Sequence, residues 1–566
     1  MGLTQFGRYA PDISDYEATA TRNVLNVSPQ ADGYGPFPAW SSYTSALPAA
    51  CRGAFYALNT SGEITVFAGT VDRLYQLSNT NQTWIPISAT ATCTISHASP
   101  AVVTLTNTFA AGDPVQFFTT GALPTGLAVQ TVYYVSATGL SGSSFQVSAT
   151  SGGASINTTS AGSGTQSVTV PYSSLSSGAN WTFAQFNNDV IACQANVNPQ
   201  VVDITTTNAF AALGGSPPAA ANVNVVGQFL ILSGLTDYPF RIQWSGLDSI
   251  TTWTAGTNSS DYQDFADGGP VQGVVGDEQS AIVLQTQAIR VMTYAPGSPL
   301  IFQIQRIARD MGALCPGSIV RAGSNILFYS TKGFQSIAPG GLPTPIGRER
   351  VDRTFAANLD TTNTQLFTGV ADPKSTKVYW FYKSNSGTPG QYDSGLGYDQ
   401  TLDRWFPVQV SGQYPVALAQ AGITLDGLDT YFPDLDTIPI SLDAFPASYS
   451  PEIAQFNTSN QMSFFRGFPL QATLETPEQG TDGTRIFIRG FRPITDATTI
   501  YGSASFRDTQ QIAPVYTSEV VQSQRTGRCD FRKSTRYSRM HVRIPANTIW
   551  TFAAGVEIDT VSEGQI

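Results

Sequence analysis

A recurring two-strand unit constrains the fold of this 566-residue chain more than any other feature of its sequence. Each copy is an apolar run, a short turn containing Gly, Asn or Asp, and a second run with aromatic or β-branched residues, which is the pattern of a β-hairpin. From residue 181 onward the copies start roughly 40 to 55 residues apart, the spacing of four-stranded propeller blades. The sequence therefore predicts an all-β fold with a β-propeller-like core. The copies lie at 64–77, 181–194, 224–235, 280–294, 325–337 and 378–408.

The composition favours the same fold class. Only 12% of the residues are charged, against about 25% in ordinary soluble domains, and the chain is rich in Thr, Ser, Val, Tyr and Gly, which suit strands and turns rather than helices. Sheets repeated radially leave few exposed edges and need little charge to protect them.

Changes in composition along the chain predict four regions. Residues 1–50 are expected to form an N-terminal arm or docking region, because prolines and glycines in 26–42 disfavour a helix or a central strand there. The propeller-like core is expected at 51–88 and 171–450. Residues 89–170 contain no Lys or Arg and one acid, Asp113, and are predicted to be an inserted accessory β-domain. Residues 451–566 are predicted to be a C-terminal β-region.

Charge is distributed unevenly along the chain. The net charge is −11, which argues against nucleic acid binding over most of the surface. Between Arg485 and Arg543, however, eleven Lys or Arg residues stand against four acids, so this segment carries +7 and the remainder −18. A basic C-terminal region on an acidic body indicates an acidic partner surface or contact between copies. Scattered, solvated arginines are the alternative interpretation.

The cysteines indicate neither a disulfide framework nor a zinc site. They are five in number, widely spaced and without a CxxC pair, which suits folding in a reducing cytoplasm. Neither a secretory signal nor an apolar run of about 18 residues is recognisable, so no membrane-spanning segment is expected. The cysteines are Cys51, Cys93, Cys193, Cys315 and Cys529.

Cys315 is the one residue that resembles a nucleophile, since it precedes Pro316 in a Gly-rich turn. A thiol nucleophile needs a base, and the chain has only His97 and His541, neither of them in a motif. GxSxG, HExxH and Walker sequences are lacking. We therefore expect no enzymatic activity, no catalytic residues, no cofactor and no metal site.

Paired carboxylates keep one enzymatic alternative open, because two acids suffice for glycoside hydrolysis. Acids with aromatic neighbours occur in three places, but Asp in hairpin turns produces the same pattern. The run DYQDFADGG lacks the alternating order of a calcium loop. The acids are Asp248, Asp261 and Asp264, and Asp399 and Asp403.

The segment 312–355, GALCPGSIVRAGSNILFYSTKGFQSIAPGGLPTPIGRERVDRTF, resembles a stretch found in tail proteins of tailed bacteriophages. There a turn with Cys or Ala before Pro leads into a strand, an S..GF hairpin follows, and an IG.E.VD..F segment closes the unit. The arm NVLNVSPQADGYGPFPAW and the ending IWTFAAGVEID are similar to the corresponding parts of such proteins. The family resembled is the tail tubular protein B, or nozzle, group of short-tailed phages. The matching residues are Cys315, Pro316, Ser330, Gly333, Phe334, Ile346, Gly347, Glu349, Val351, Asp352 and Phe355.

The resemblance implies a structural protein of the virion tail, assembled in the host cytoplasm. It implies a β-propeller and a cyclic homo-oligomer, a hexamer, beneath a portal or adaptor ring, next to tail fibre or tail tip proteins. Genomic DNA would pass through the lumen without sequence-specific binding during ejection. The resemblance brings no catalytic residue.

Two residue sets are candidates for such a role. Acids in 422–436 would line or gate the lumen, where they would repel phosphates: Asp426, Asp429, Asp434 and Asp436. Basic residues in the C-terminal region would form a subunit interface: Arg532, Lys533 and Arg536. The alternatives are a host-surface binding protein that uses 89–170 as an adhesin, and a glycan depolymerase.

Overall fold

The computed structural model describes residues 3–14, 19–79, 82–206, 208–298, 300–419, 451–480 and 484–565. Nearly all regular structure in this part of the chain is β-sheet, as predicted. One α-helix, α1 (Asp352–Asn358), and two short 3₁₀ helices, Pro316–Ser318 and Thr364–Leu366, are the helical elements described.

The described N-terminal residues form strands. They are β1 (Leu3–Gln5), β2 (Arg8–Tyr9), β3 (Ala20–Thr21), β4 (Val27–Gln30), β5 (Gly33–Pro36) and β6 (Pro38–Ala46). The first four-stranded antiparallel sheet follows, with β7 (Ala54–Leu58), β8 (Ile64–Gly69), β9 (Leu74–Leu77) and β10 (Trp84–Pro86) in chain order.

An inserted small β-domain comes next. Its strands are β11 (Thr90–Ile95), β12 (Val103–Thr104), β13 (Pro114–Val115), β14 (Phe117–Thr119), β15 (Tyr133–Val135), β16 (Ser144–Phe145), β17 (Val147–Ser148) and β18 (Gln166–Thr169). They form two sheets, β14-β18-β11-β12-β16 and β13-β15-β17. Val103, Val115, Phe117, Phe145 and Val168 are fully buried in a core of its own. Because apolar side chains alternate with Ser and Thr, these short strands bury one face each.

Three more four-stranded sheets repeat the same strand order. They are β19 (Thr182–Phe186), β20 (Asp189–Gln194), β21 (Val197–Asp203) and β22 (Ala211–Ala212); β23 (Ala220–Val226), β24 (Phe229–Leu235), β25 (Arg241–Trp244) and β26 (Asp261–Asp264); and β27 (Val271–Gly276), β28 (Ser280–Gln285), β29 (Ala288–Tyr294) and β30 (Phe302–Arg309).

Two sheets of the same design cover residues 320–408. One is β31 (Val320–Ala322), β32 (Asn325–Ser330), β33 (Gly333–Ile337) and β34 (Thr344–Pro345). The other is β35 (Thr368–Ala371), β36 (Lys377–Tyr382), β37 (Ser394–Asp399) and β38 (Arg404–Val408), which β2 and β3 extend to six strands. All six predicted hairpins are antiparallel strand pairs, so the predicted β-propeller-like core is confirmed.

A further sheet has the order β39-β40-β41-β6, with β39 (Tyr414–Ala419), β40 (Pro451–Phe456) and β41 (Gln461–Pro469). A strand from near the N-terminus thus completes a sheet whose other strands come late in the chain. Strands β40 and β41, which the sequence assigned to the C-terminal region, belong to this four-stranded sheet.

The remaining strands are β42 (Ala472–Glu475), β43 (Gln479–Gly480), β44 (Thr484–Thr495), β45 (Tyr501–Arg507), β46 (Val515–Tyr516), β47 (Val520–Val521), β48 (Cys529–Thr535), β49 (Tyr537–Ile544) and β50 (Ala553–Gln565). They build the sheets β4-β5-β50-β44-β48 and β42-β49-β45-β46. Strand β1 pairs with β50, β43 with β49 and β47 with β45.

Within these sheets, β5 is a central strand between β4 and β50, which corrects the expectation of no central strand in 26–42. The glycines permit it, because a Cβ at Gly33 would overlap the main chain of Ala553. The prolines are tolerated because Pro36 ends β5 and Pro29 lies in the edge strand β4.

Contacts divide the chain into two compact units. The first comprises 1–42, 320–415 and 463–566, and the second comprises 43–319 and 416–462. The largest core of the first unit joins N-terminal and C-terminal residues, among them Val27, Tyr34, Phe491, Met540 and Val556. In the second unit the sheets of the propeller-like core and the inserted domain have separate cores.

Candidate functional site

Cys315 is a packing residue. Its side chain is 4% exposed, directly before the 3₁₀ helix Pro316–Ser318, and Ser318 Oγ donates a hydrogen bond of 2.8 Å to its carbonyl oxygen. Burial raises the pKa of the Cys315 thiol to about 11, so the thiol stays protonated at neutral pH. The reactive thiolate is therefore not populated.

The hairpin of β32 and β33 carries the S..GF part of the motif. Ser330 and Gly333 face each other across its turn, and Gly333 has a φ of +92°, which a side chain rarely adopts. Phe334 is fully buried. Its ring lies 4.7 to 5.0 Å from four other aromatic rings, those of Tyr329, Phe355, Trp380 and Trp405.

The IG.E.VD..F part of the motif closes over that hairpin through Asp352. The Asp352 carboxylate accepts the backbone N–H of Phe334 at 3.0 Å. A Cβ at Gly333 or at Gly347 would overlap this carboxylate, so both positions are restricted to glycine by close approach. Burial raises the pKa of Asp352 to about 6.

Helix α1, which begins at Asp352, is capped from the other end of the chain. The Asp12 carboxylate accepts the backbone N–H groups of Arg353 at 2.7 Å and Thr354 at 3.0 Å. Asp12 thus satisfies N–H groups that an α-helix leaves free at its start. Residues 312–355 thus contain a packed unit. Gly333 and Gly347 leave room for the Asp352 carboxylate, and this carboxylate binds the main chain of the buried Phe334.

Arg309 and Asp310 are neighbours of opposite charge in the sequence, but both are exposed, and no ion pair joins them among the described residues. Asp310 has a φ of +55° and belongs to a turn after β30.

The acids that kept glycoside hydrolysis open are occupied by local contacts. Asp264 accepts two hydrogen bonds from Arg241, at 2.6 and 2.8 Å, which lower its pKa. Asp403 accepts from Arg350 at 2.6 Å and from the Tyr398 hydroxyl at 2.9 Å. The remaining three serve turns: Asp399 accepts the N–H groups of Thr401 and Leu402, Asp261 accepts that of Tyr262, and Asp248 has a φ of +50°. Within the described ranges, no group of three His, Cys, Asp or Glu residues could hold a metal ion.

The predicted lumen acids, Asp426, Asp429, Asp434 and Asp436, lie outside the described residues.

Ion pairs neutralise much of the positive charge of residues 485–543 in the folded unit. Within the described residues, six of the eleven cations in this segment form ion pairs, and four of the carboxylates involved lie outside the segment. The pairs are Arg485 with Asp508, Arg492 with Glu557, Arg507 with Glu478, Arg528 with Asp530 and Asp559, Arg539 with Glu475 and Glu478, and Arg543 with Glu519. Counting charges within the segment does not reveal these partners, because they lie on strand β50, at the end of β42 and just after β42.

The predicted interface residues belong to the cations left over. Arg532 is exposed on β48, the edge strand of its sheet. Lys533 is half-buried with its Nζ 4.0 Å from the ring centroid of Phe506, and Arg536 follows β48 and helps to lower the pKa of Asp508. One more cation, Arg489 on β44, lies opposite Phe531 and Arg532 at a β-bulge.

These four residues, Arg489, Arg532, Lys533 and Arg536, form what we call the basic edge. Arg489 and Arg532 are exposed and form no ion pair within the described chain. Two adjacent arginines without a carboxylate partner repel each other, and an acidic surface from another molecule would relieve that repulsion. The bulge that brings them together cannot be read from local sequence.

A second polar cluster was not foreseen from the sequence. Glu475 and Glu478 are 0% and 3% exposed, and Arg507 and Arg539 are 5% and 6% exposed at the side chain. Arg507 donates to both oxygens of Glu478, at 2.7 and 2.5 Å. Glu475 also interacts with Asn23, which joins the N-terminal segment to the C-terminal sheets. Burial raises the pKa of Glu475.

Comparison with known proteins gives structural likeness only. No family profile matches the chain, and no curated protein matches it. Among solved structures, the computationally designed Ika8 protein has a TM-score of 0.30 at 9% identity and covers 76% of this chain and 98% of its own. The β-propeller domain of Myceliophteria thermophila Cps50 (Swd1) has 0.28 at 9%, covering 65% and 100%. Kluyvelomyces marxianus Hsv2 has 0.27 at 9%, covering 64% and 99%.

A search of the described helices finds none that is long and apolar enough to cross a membrane.

Proposed function

We propose that this chain is a structural, non-enzymatic protein of a phage tail that assembles into a ring around a DNA channel. The observation that carries the proposal is the basic edge, where Arg489 and Arg532 lie exposed and adjacent on neighbouring strands. Arg532 on this edge strand forms no ion pair within the described residues, and an exposed arginine of this kind on a chain of net charge −11 suits contact with an acidic protein surface. Copies of the same chain supply such a surface.

The arrangement of 312–355 supports the same proposal. The residues that carry the resemblance to tail tubular proteins are used for folding: Phe334 anchors a core, and Asp352 binds the hairpin main chain. A virion protein that must stay intact while DNA passes needs such rigid elements rather than a reactive site. The ring would be a hexamer below a portal or adaptor ring, with tail fibre or tail tip proteins as further neighbours.

The proposal is tested by measuring the mass of the purified protein with light scattering at several concentrations. We expect a closed oligomer whose mass stays constant across a wide concentration range, since closed rings have a fixed copy number. Neutralising Arg532, Lys533 and Arg536 together should lower that mass toward one chain. A wild-type protein that remains a single chain, or that degrades host polysaccharide, would overturn the proposal.

A further inference from the structure

An arginine held between two tyrosine rings marks a second exposed surface, in the unit that comprises 43–319 and 416–462. The guanidinium carbon of Arg241 lies 4.1 Å from the ring centroid of Tyr238 and 3.9 Å from that of Tyr262. Asp264 fixes the guanidinium from the side through two hydrogen bonds. Each contact restricts the same group, so the stack is ordered before any partner arrives.

The surface around this stack is apolar and acidic. Tyr238, Phe240 and Tyr262 are 53%, 46% and 42% exposed, which is high for three large aromatic side chains in one place. Asp264 binds Arg241, and the exposed Asp237 directly precedes Tyr238, so these three charged residues sum to a net charge of −1. We call these residues, with Arg241, the acidic aromatic edge.

Strand position adds a backbone argument. Strand β26 is the last strand of its sheet and pairs with β25 on one side. It contributes Tyr262 and Asp264 to the acidic aromatic edge. Strand β48, which contributes Arg532 and Lys533, is likewise the last strand of its sheet and pairs with β44. Within the described residues, neither strand pairs with another strand on its outer side.

We propose that the acidic aromatic edge of one copy binds the basic edge of the next copy. The charges are opposite, both surfaces are exposed, and Tyr and Arg are the side chains that dominate protein interfaces. Since the two surfaces differ, the contact is heterologous, and repetition closes a ring or extends a filament. This inference rests on the proposed ring and names the two surfaces that join its subunits.

A second copy fits better than another anionic partner. Nucleic acid would meet the basic edge alone and would leave the exposed aromatic residues of the other edge uncovered. A second copy covers both surfaces in a single contact. The same chain then provides both surfaces in equal number.

The test uses charge reversal at exposed residues of the full-length protein. The first variant carries Asp237→Lys, and the second carries Arg489→Glu and Arg532→Glu. Each variant alone should lose self-association, with an apparent dissociation constant raised by roughly 100-fold or more because like charges then face each other. Both variants leave the Arg241 stack and the buried cores untouched, and circular dichroism checks their folding.

Mixing supplies the decisive readout. An equimolar mixture of the two variants retains one unaltered acidic aromatic edge and one unaltered basic edge, so it should assemble although neither variant does alone. A chain carrying all three reversals should also associate. The control variant carries Glu278→Lys and Lys332→Glu, exposed residues outside both edges, and should keep the wild-type mass.

The outcomes separate this inference from the proposed function. If the wild type forms a ring and neither charge-reversal variant changes its mass, the inference is wrong and the proposed function stands. Loss of assembly in both variants without rescue in the mixture also overturns the pairing of these two edges. A wild-type protein that is a single chain at all concentrations overturns both. Rescue in the mixture supports the pairing, because general destabilisation cannot produce it.

Discussion

Arg73 donates a hydrogen bond of 2.6 Å from Nη2 to the carboxylate of Asp113, which joins the sheet β7–β10 to the inserted domain. Asp113 is the one acid of residues 89–170, and the Arg73 side chain is 7% exposed. A second hydrogen bond of 2.9 Å runs from Arg73 to the carbonyl oxygen of Pro114. The inserted domain contains no Lys or Arg, so the cation that binds its single acid comes from Arg73, outside the domain.

Replacing Asp113 by Asn should loosen this attachment. Arg73 would stay buried and lose its short contact to a carboxylate, keeping only Asp72 at 4.0 Å from Nε, which should cost about 1–3 kcal/mol. Hydrogen exchange should then accelerate in residues 89–170 and at the β8–β9 turn, while other sheets keep their protection. A double variant, Arg73→Met with Asp113→Asn, should recover most of the protection because no charge is left buried. Equal exchange in both variants would show that the pair does not fix the domain.

Asp352 should make stability depend on pH in a defined window. Its folded pKa of about 6 exceeds the value of about 3.9 in an unfolded chain. The folded state therefore holds the proton more tightly, and the stability from Asp352 is complete below pH ~4 and is lost as pH rises through ~6. Asp352→Asn should remove this slope, so the difference in unfolding free energy between wild type and variant should change between pH 4 and 6 and be level above. A difference that is flat throughout would contradict the assignment.

A substitution at Gly347 tests whether this residue must be glycine because of its close approach to the Asp352 carboxylate. Its φ lies outside the left-handed region, yet a Cβ there would overlap the Asp352 carboxylate. Gly347→Ala should therefore destabilise the protein by about 1–3 kcal/mol, the usual cost of overpacking. Gly142→Ala is the matched control, because nothing lies within 4 Å of its Cβ position and its φ is also ordinary. Denaturant unfolding compares the two, and equal midpoints would exclude a steric role for Gly347.

The buried pair of Glu478 and Arg507 should matter far more than its exposed counterpart. Glu478→Gln leaves the Arg507 guanidinium, 5% exposed, without its counter-ion and should cost about 3–5 kcal/mol. Glu519→Gln removes the partner of Arg543, where the carboxylate is 37% exposed, and should cost at most about 1 kcal/mol. Thermal unfolding at neutral pH distinguishes them, and equal losses would mean that Glu478 is solvated in the folded protein.

The sequence predicts local features of this fold well and long-range ones poorly. The hairpins follow from alternating apolar residues and turn residues, and the burial of Phe334 follows from its place after a hairpin glycine. The pairing of β1 and β5 with β50 joins residues about 520 to 550 positions apart, and no local pattern encodes such a pairing. From local sequence, the prolines and glycines in 26–42 therefore predict an arm or docking region and not a strand of this sheet.

The candidate subunit interface also has some features that local sequence predicts and others that depend on long-range strand pairing. Arg532 is exposed on an edge strand, as a basic residue in an alternating strand should be. The neutralisation of Arg492 and Arg528 by β50 acids depends on strand order, which charge counting ignores. The sequence does not single out the Tyr238–Arg241–Tyr262 stack, because Tyr and Arg near turns are common and only the folded sheet brings the three side chains together.

Electron microscopy of the purified full-length protein tests the central claim, that copies of this chain form a ring around a channel, most directly. We expect single-particle images of closed rings with one copy number and a central opening wide enough for duplex DNA. Isolated single chains, or open filaments without an axial channel, would contradict the account.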